Sequence, residues 1–218
     1  MGRYTAIVVP AYNENRTIAE AIQPLKIFGD VIVVDDGSID QTAITAYKSG
    51  SRVLSHKTNL GYEMALSTGV EYAVNNGYKY IITTDADGEL KPEGIAKIKN
   101  SLKNNYEIVL GNRESKNRYI EIIFGKLCSY FFDLNDPLCG MKGYSSKIIQ
   151  KFGSFDTKKM IGTEILAHAL RENVEIKEVK VDVKKREGAS RYGNSISSFF
   201  RISRVVFLFF KISIMKNN

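Results

Sequence analysis

The chain has 218 residues, enough for one domain with a substantial core, and its 44% hydrophobic and 25% charged content excludes a disordered polymer. Its formal net charge of +7 lies at one end: residues 177–218 hold 10 Lys/Arg against 3 Asp/Glu, leaving 21 of each in residues 1–176. Such a local basic surplus fits an anionic partner, and two lone cysteines, Cys128 and Cys139, exclude a structural zinc site and fit a reducing compartment.

The first residues, Met1-Gly2-Arg3-Tyr4-Thr5-Ala6, run into an apolar strand with no signal-peptide pattern, and Ala6 stands where myristoylation needs Ser or Thr. Short β-rich apolar runs predict strands at Ala6–Val9, Val31–Val34, Arg52–Ser55, Tyr80–Thr83 and Ile108–Leu110. Period-3.6 runs predict helices between them at Thr17–Phe28, Gln41–Lys48, Met64–Asn75 and Glu93–Leu102. Strand and helix alternate, as in a mostly parallel sheet covered on both faces, whose ligands bind beyond the carboxyl ends of the strands. His56 and His168 stand alone in the sequence and read as structural.

The polar residues gather where that rule puts them. Pro10-Ala11-Tyr12-Asn13-Glu14 follows the first strand, Asp35-Asp36-Gly37-Ser38 the second, and Asp85-Ala86-Asp87-Gly88-Glu89 the fourth. Carboxylates crowded at one crevice repel each other unless a ligand or cation joins them. Alternate residues of an extended turn point the same way, so Asp85 and Asp87 can face one hard cation, Mg2+ or Mn2+, with positions left for substrate phosphates. The first turn holds no glycine, which excludes a GxGxxG dinucleotide fingerprint, and no Walker pattern occurs.

In sequence order, Val9-Pro10-Ala11-Tyr12-Asn13-Glu14, Asp35-Asp36-Gly37-Ser38 with Asp40 and Thr42, Asn59 with Gly61 and Gly69, and Asp85-Ala86-Asp87 form a series. It continues through Gly111-Asn112-Arg113, Asp136-Pro137 with Gly140, Glu164, and Arg186 with Gly188, Ser190 and Arg191. The series resembles the family 2 glycosyltransferases of GT-A fold, among them the polyprenyl (dolichyl) phosphate sugar synthases, from about Thr5 to Tyr192. The resemblance implies an α/β, Rossmann-like, mostly parallel sheet flanked by helices. It also implies transfer of a sugar from a nucleotide sugar to a polyprenyl phosphate, with inversion at the anomeric centre.

Carried over, the resemblance implies that Pro10, Ala11, Tyr12 and Glu14 line the nucleoside pocket, with Asp36 on the base and Asp35 supporting it. Asp85, Ala86 and Asp87 would meet the diphosphate, and Asp85, Asp87 and Glu89 the metal. Asp87, Arg113 and Arg186 would be catalytic, the two arginines holding phosphate groups. Arg118, Lys126 and Arg191 would attract the acceptor phosphate. A hydroxyl acceptor would instead need a general base, for which Asp136 is the candidate; a catalytically silent sugar-nucleotide-binding scaffold is the reading from another class. Three departures stand out: Glu63 in place of a second glycine, the Leu138-Cys139 pair before Gly140, and Gly88-Glu89 after Asp87.

Ser195–Met215 reads as an aromatic helix whose Ser197, Arg201, Arg204 and Lys211 share a sector of about 80°. Its longest apolar run, Val205–Phe210, falls far short of the ~20 residues of a spanning helix, and a basic stripe beside aromatics suits a membrane surface. The expected organisation is therefore a GT-A domain over 1–193 and a C-terminal amphipathic helix over 194–218. The expected partners are a nucleotide sugar, a polyprenyl phosphate and the cytoplasmic face of a membrane, with no nucleic acid. A second copy or a membrane-protein partner is left open, the bland alternative for the helix being packing on its own domain.

Overall fold

A computed structural model describes residues 4–114, 119–184 and 196–214. Seven strands form one sheet: β1 (Thr5–Ala11), β2 (Asp30–Asp35), β3 (Arg52–Ser55), β4 (Tyr80–Thr83), β5 (Ile108–Arg113), β6 (Lys142–Ser145) and β7 (Ile176–Val181). Their order is β3-β2-β1-β4-β6-β5-β7, parallel throughout except for β6, which runs antiparallel to both β4 and β5. The expected mostly parallel sheet is thus observed.

Alternate residues of the central strands feed two cores, as period two requires. Ala6, Val8, Ile32 and Val34 face α3 (Tyr62–Asn75), α5 (Tyr119–Phe132), α6 (Ser146–Phe152), α7 (Glu164–Arg171) and α8 (Ile196–Ile214). Ile7, Val9, Val31 and Val33 face α1 (Ile18–Ile22), α2 (Thr42–Lys48) and α4 (Glu93–Lys103). Strands buried on both faces explain why the sequence shows nearly unbroken apolar runs.

The single helix expected over Thr17–Phe28 is split. It is α-helical only over Ile18–Ile22 and tightens to a 3-10 turn at Gln23–Ile27, where Pro24 lacks the amide that would continue the ladder. The helices at 42–48, 62–75 and 93–103 match their expected positions within two residues. No described helix is long and apolar enough to cross a membrane.

The C-terminal helix exists but is no separate appendage. Val205 and Phe209 are fully buried within the core that α3 and α7 share, and Phe124 of α5 meets Phe209 edge-to-face with ring centroids 5.2 Å apart. Its basic stripe is divided as well. Arg201 pairs with the buried Glu63, Arg204 Nη1 reaches the Lys159 carbonyl at 3.5 Å, and Lys211 is exposed.

Candidate active site

The loops after β1 and β2 are stitched into one wall. Asn13 N donates to Ser38 Oγ at 2.9 Å, Glu14 N to Thr42 Oγ1 at 2.8 Å, and Asn15 N to Asp40 Oδ2 at 3.2 Å, while Asn13 Oδ1 accepts from Ile39 N at 3.0 Å. These bonds hold Tyr12 and Glu14, both half-buried, at the mouth of the crevice beyond Pro10 and Ala11. Gly37 allows the tight second loop: its φ is +71°, and a Cβ there would lie 2.5 Å from the Thr58 carbonyl carbon.

Asp36 is committed within the protein. Its Oδ1 accepts from Leu60 N at 2.9 Å and lies 2.7 Å from His56 Nδ1, and its Oδ2 accepts from Gly61 N at 2.8 Å. At 3% exposure it braces the start of α3, which is a different task from the base contact expected of it. His56 is correspondingly structural, spanning Asp36 and Thr68 Oγ1. Asp35 differs: it is 4% exposed, and its Oδ1 has no hydrogen-bond partner among the described residues. A buried carboxylate oxygen left over at a strand end is an acceptor awaiting a ligand donor.

Beyond β4, Asp85 sits under three constraints. Tyr62 donates its hydroxyl to Asp85 Oδ1 at 3.0 Å. Burial and the nearby charge of Asp87 push its carboxyl up, opposed by the Tyr62 hydrogen bond and by Arg113 and Lys142. Gly140 lies against it so closely that a Cβ would be 2.0 Å from Asp85 Oδ2. Asp87 Oδ1 caps its own turn, accepting from Glu89 N at 3.0 Å, and the buried Ala86 anchors the tripeptide in the core.

These two carboxylates fit a hard divalent cation. They are oxygen donors, the charge of Asp87 disfavours that of Asp85, and a cation would relieve that repulsion. Glu89 does not complete a preformed site: no three His, Cys, Asp or Glu side chains among the described residues converge on one cation position. Two carboxylates with the rest supplied by water and phosphate is the usual manner for Mg2+.

Arg113 is drawn away from the role expected of it. Its Nε and Nη2 grip Asp136 at 2.7 and 3.0 Å, its backbone N–H adds a third bond at 3.1 Å, and Nη2 also reaches Glu121 at 3.4 Å. Burial opposes the charge on Arg113, but the Asp136 carboxylate more than offsets it and keeps the guanidinium protonated. Asp136, 1% exposed, therefore has both oxygens engaged by Arg113. Glu178 locks the same loop, accepting from Asn135 N and Asp136 N at 2.8 and 3.0 Å.

Glu164 likewise accepts from Thr157 Oγ1 and Lys158 N, at 3.0 and 2.7 Å, and holds the loop after α6. In that loop Asp156, 2% exposed, accepts from Met160 N and Gly162 N at 2.7 Å each, around Ile161 with φ +56°. A β-branched residue in that region is strained and needs such bracing. Lys126 lies on the exposed side of α5, away from Glu121 and Phe124 on its buried side. Arg118, Arg186 and Arg191 lie outside the described residues. Tyr62, Lys142 and Glu178 were not expected at the site; Tyr62 alone had a signal, directly following Gly61 in a matched stretch. Lys142 is 3% exposed, and burial pulls its ammonium down while Cys139, Asp85, Asp136 and Asp156 pull it up.

A family model described as Glycosyl transferase family 2 matches residues 6–151. The dolichyl-phosphate hexose transferase of Haloferax volcanii is 25% identical over 199 residues, covering 85% of each chain. The UDP-N-acetylglucosamine–dolichyl-phosphate N-acetylglucosaminyltransferase of Methanococcus voltae is 26% identical over 234 residues, 90% of this chain and 92% of its own. Glucosyl-3-phosphoglycerate synthase from Mycobacterium tuberculosis, solved with Mn2+, UDP-glucose and phosphoglyceric acid, superposes with a TM-score of 0.77 at 19% identity. The match covers 100% of this chain and 82% of that one. The chain belongs to glycosyl transferase family 2. Its fold is GT-A, and it is a nucleotide-sugar glycosyltransferase.

Proposed function

We propose that this glycosyltransferase moves a sugar from a nucleotide sugar onto a polyprenyl phosphate at the cytoplasmic face of a membrane, holding the donor diphosphate through a divalent cation at Asp85 and Asp87. The observation that carries the donor half is the mutually repelling pair of carboxylates beyond β4, one of them positioned by Tyr62. Pro10, Ala11, Tyr12 and Glu14 would line the nucleoside pocket, and the unmatched Oδ1 of Asp35 would accept a donor from the base. Bound there, Mg2+ or Mn2+ would stabilise the departing diphosphate.

An acceptor phosphate oxygen then bonds to the anomeric carbon as the bond from that carbon to the diphosphate oxygen breaks, inverting the centre. A phosphate already carries its negative charge, so the reaction requires no general base, in keeping with an Asp136 that is fully paired. The two archaeal relatives named for dolichyl phosphate support this acceptor. So does the surface: α5 and α8 lie side by side, Phe131 and Phe210 with ring centroids 5.6 Å apart, and expose Ile123, Tyr130, Phe200, Phe207 and Ile214. With Lys211 exposed beside them, this face suits an anionic bilayer, and Arg118, Lys126, Arg186 and Arg191 are the candidate cations for the lipid phosphate.

The test is transfer from radiolabelled UDP- and GDP-sugars, with Mn2+ or EDTA, to polyprenyl phosphate or to the unphosphorylated polyprenol. Label should enter the organic phase only with a nucleotide sugar, Mn2+ and the phosphorylated lipid together. Equal labelling of polyprenol, or undiminished transfer in EDTA, would overturn the acceptor or the metal part respectively.

A further inference from the structure

Four consecutive residues at the start of α3 reach three parts of the molecule. The amides of Leu60 and Gly61 are held by Asp36 at the end of β2. The hydroxyl of Tyr62 is on Asp85 at the end of β4. The carboxylate of Glu63 is paired with Arg201 on α8, more than a hundred residues away along the chain. Adjacent helical residues point about 100° apart, so Tyr62 and Glu63 necessarily face different neighbours and move together as one turn.

We infer that Arg201 of α8 is a positioning residue for the donor site, acting through Glu63 and Tyr62 on the carboxylate of Asp85. The inference rests on the donor reading of Asp85 given above. Its physical basis is the cost of an unpaired buried charge. The Glu63 side chain is 6% exposed and that of Arg201 34%, so without Arg201 a buried carboxylate would lose its cation. Glu63 would then turn toward water and take the first turn of α3 with it. Tyr62 stands on that turn, and a shift of a few tenths of an ångström lengthens its bond to Asp85. Gly140 presses on Asp85 from the other side, so the carboxylate has few other places to rest.

The departure of Glu63 from glycine thereby gains a purpose in this chain. A glycine there could not reach α8 at all. The helix that carries the exposed aromatic face is thus linked, through the Arg201–Glu63 ion pair and the Tyr62 hydroxyl, to the carboxylate proposed to hold the donor cation.

Calorimetry of UDP and GDP binding, each with Mn2+ and with EDTA, tests the assignment on the full chain. Tyr62→Phe, which removes one oxygen and keeps the packing, should weaken Mn2+-dependent nucleotide affinity about tenfold and leave affinity in EDTA unchanged. Arg201→Gln should weaken it about threefold, Arg201→Lys should restore it, and the double variant Glu63→Gln/Arg201→Gln should recover most of the loss because the stranded charge is gone. Thermal midpoints report folding of each variant. Unchanged Mn2+-dependent affinity in Tyr62→Phe overturns the inference, as does an equal loss with and without Mn2+ in Arg201→Gln. Asp85→Ala separates the two levels: if it leaves the Mn2+ effect intact, the donor reading fails; if it abolishes the effect while Tyr62→Phe leaves it unchanged, only the inference fails.

Discussion

The crevice has two walls built on different principles. On the donor wall, between β1, β2 and the start of α3, carboxylates such as Asp36 and Asp40 accept from backbone amides of neighbouring loops. On the opposite wall, carboxylates meet cationic side chains in addition to backbone amides: Asp136 and Glu121 on Arg113, Glu164 on Lys158. Amide-bound carboxylates fix a loop's path and leave its outer surface uncharged, which suits the nucleoside proposed to bind there. Buried ion pairs fix cations in place but also occupy them, so the charges to meet the proposed acceptor phosphate would come from other residues.

Removing Asp87 should have the largest effect, because it takes one of two carboxylates from the proposed cation while sparing both walls. Asp87→Ala should lower turnover about 1,000-fold, and calorimetry should show nucleotide affinity falling only when Mn2+ is present. Retained turnover would place the cation elsewhere.

Breaking the second wall should instead cost stability. Arg113→Ala strands Asp136 at 1% exposure and should lose about 3–5 kcal/mol in urea unfolding, with much of it regained in Arg113→Ala/Asp136→Asn. A loss below 1 kcal/mol with a large drop in turnover would mean that Arg113 serves the substrate more than the fold.

The smallest effect sharpens the same contrast through pH. Burial pushes the Asp156 carboxyl up to about 6 from 3.8, against the pull of the Gly162 and Met160 amides and aided by Glu63 and Glu164. A carboxyl with a raised pKa in the folded state stabilises the protein below its unfolded value and loses that contribution as pH rises through the folded one. The urea midpoint of the wild type, relative to Asp156→Asn, should therefore fall as pH rises from 3.8 to about 6 and level off above 7. A flat difference would show that folding does not shift the Asp156 carboxyl.

The donor wall was legible in the sequence because its chemistry follows strand ends, and strand ends follow apolar periodicity. Asp35-Asp36 and Asp85-Ala86-Asp87 could be placed at one crevice before any coordinate was known. Which of two adjacent aspartates keeps an open oxygen could not, since that depends on where Leu60 and Gly61 send their amides. The second wall was nearly silent. Arg113 and Asp136 were both marked, yet as separate groups; their bidentate pairing is a contact between β5 and the loop before β6, and no spacing encodes it. The helix at 196–214 shows the same limit. Its amphipathic pattern was plain, but the partner of Arg201 is Glu63, and only the packed structure brings the two together.

The reversed strand β6 carries a consequence for how the molecule is made. Strands β1 to β4 are neighbours in space as well as early in the chain, whereas β5 is kept from β4 by β6, which is synthesised later. From Thr83 until Lys142 has emerged, the outer edge of β4 has no partner strand, and β5 has none either. An open edge is the part of a nascent sheet most prone to pair with another chain. Docking of Lys142–Ser145 closes it from both sides at once. That event also carries Gly140 up against Asp85, so the inner gap of the sheet closes and the Asp85 carboxylate is confined in one movement of the growing polypeptide.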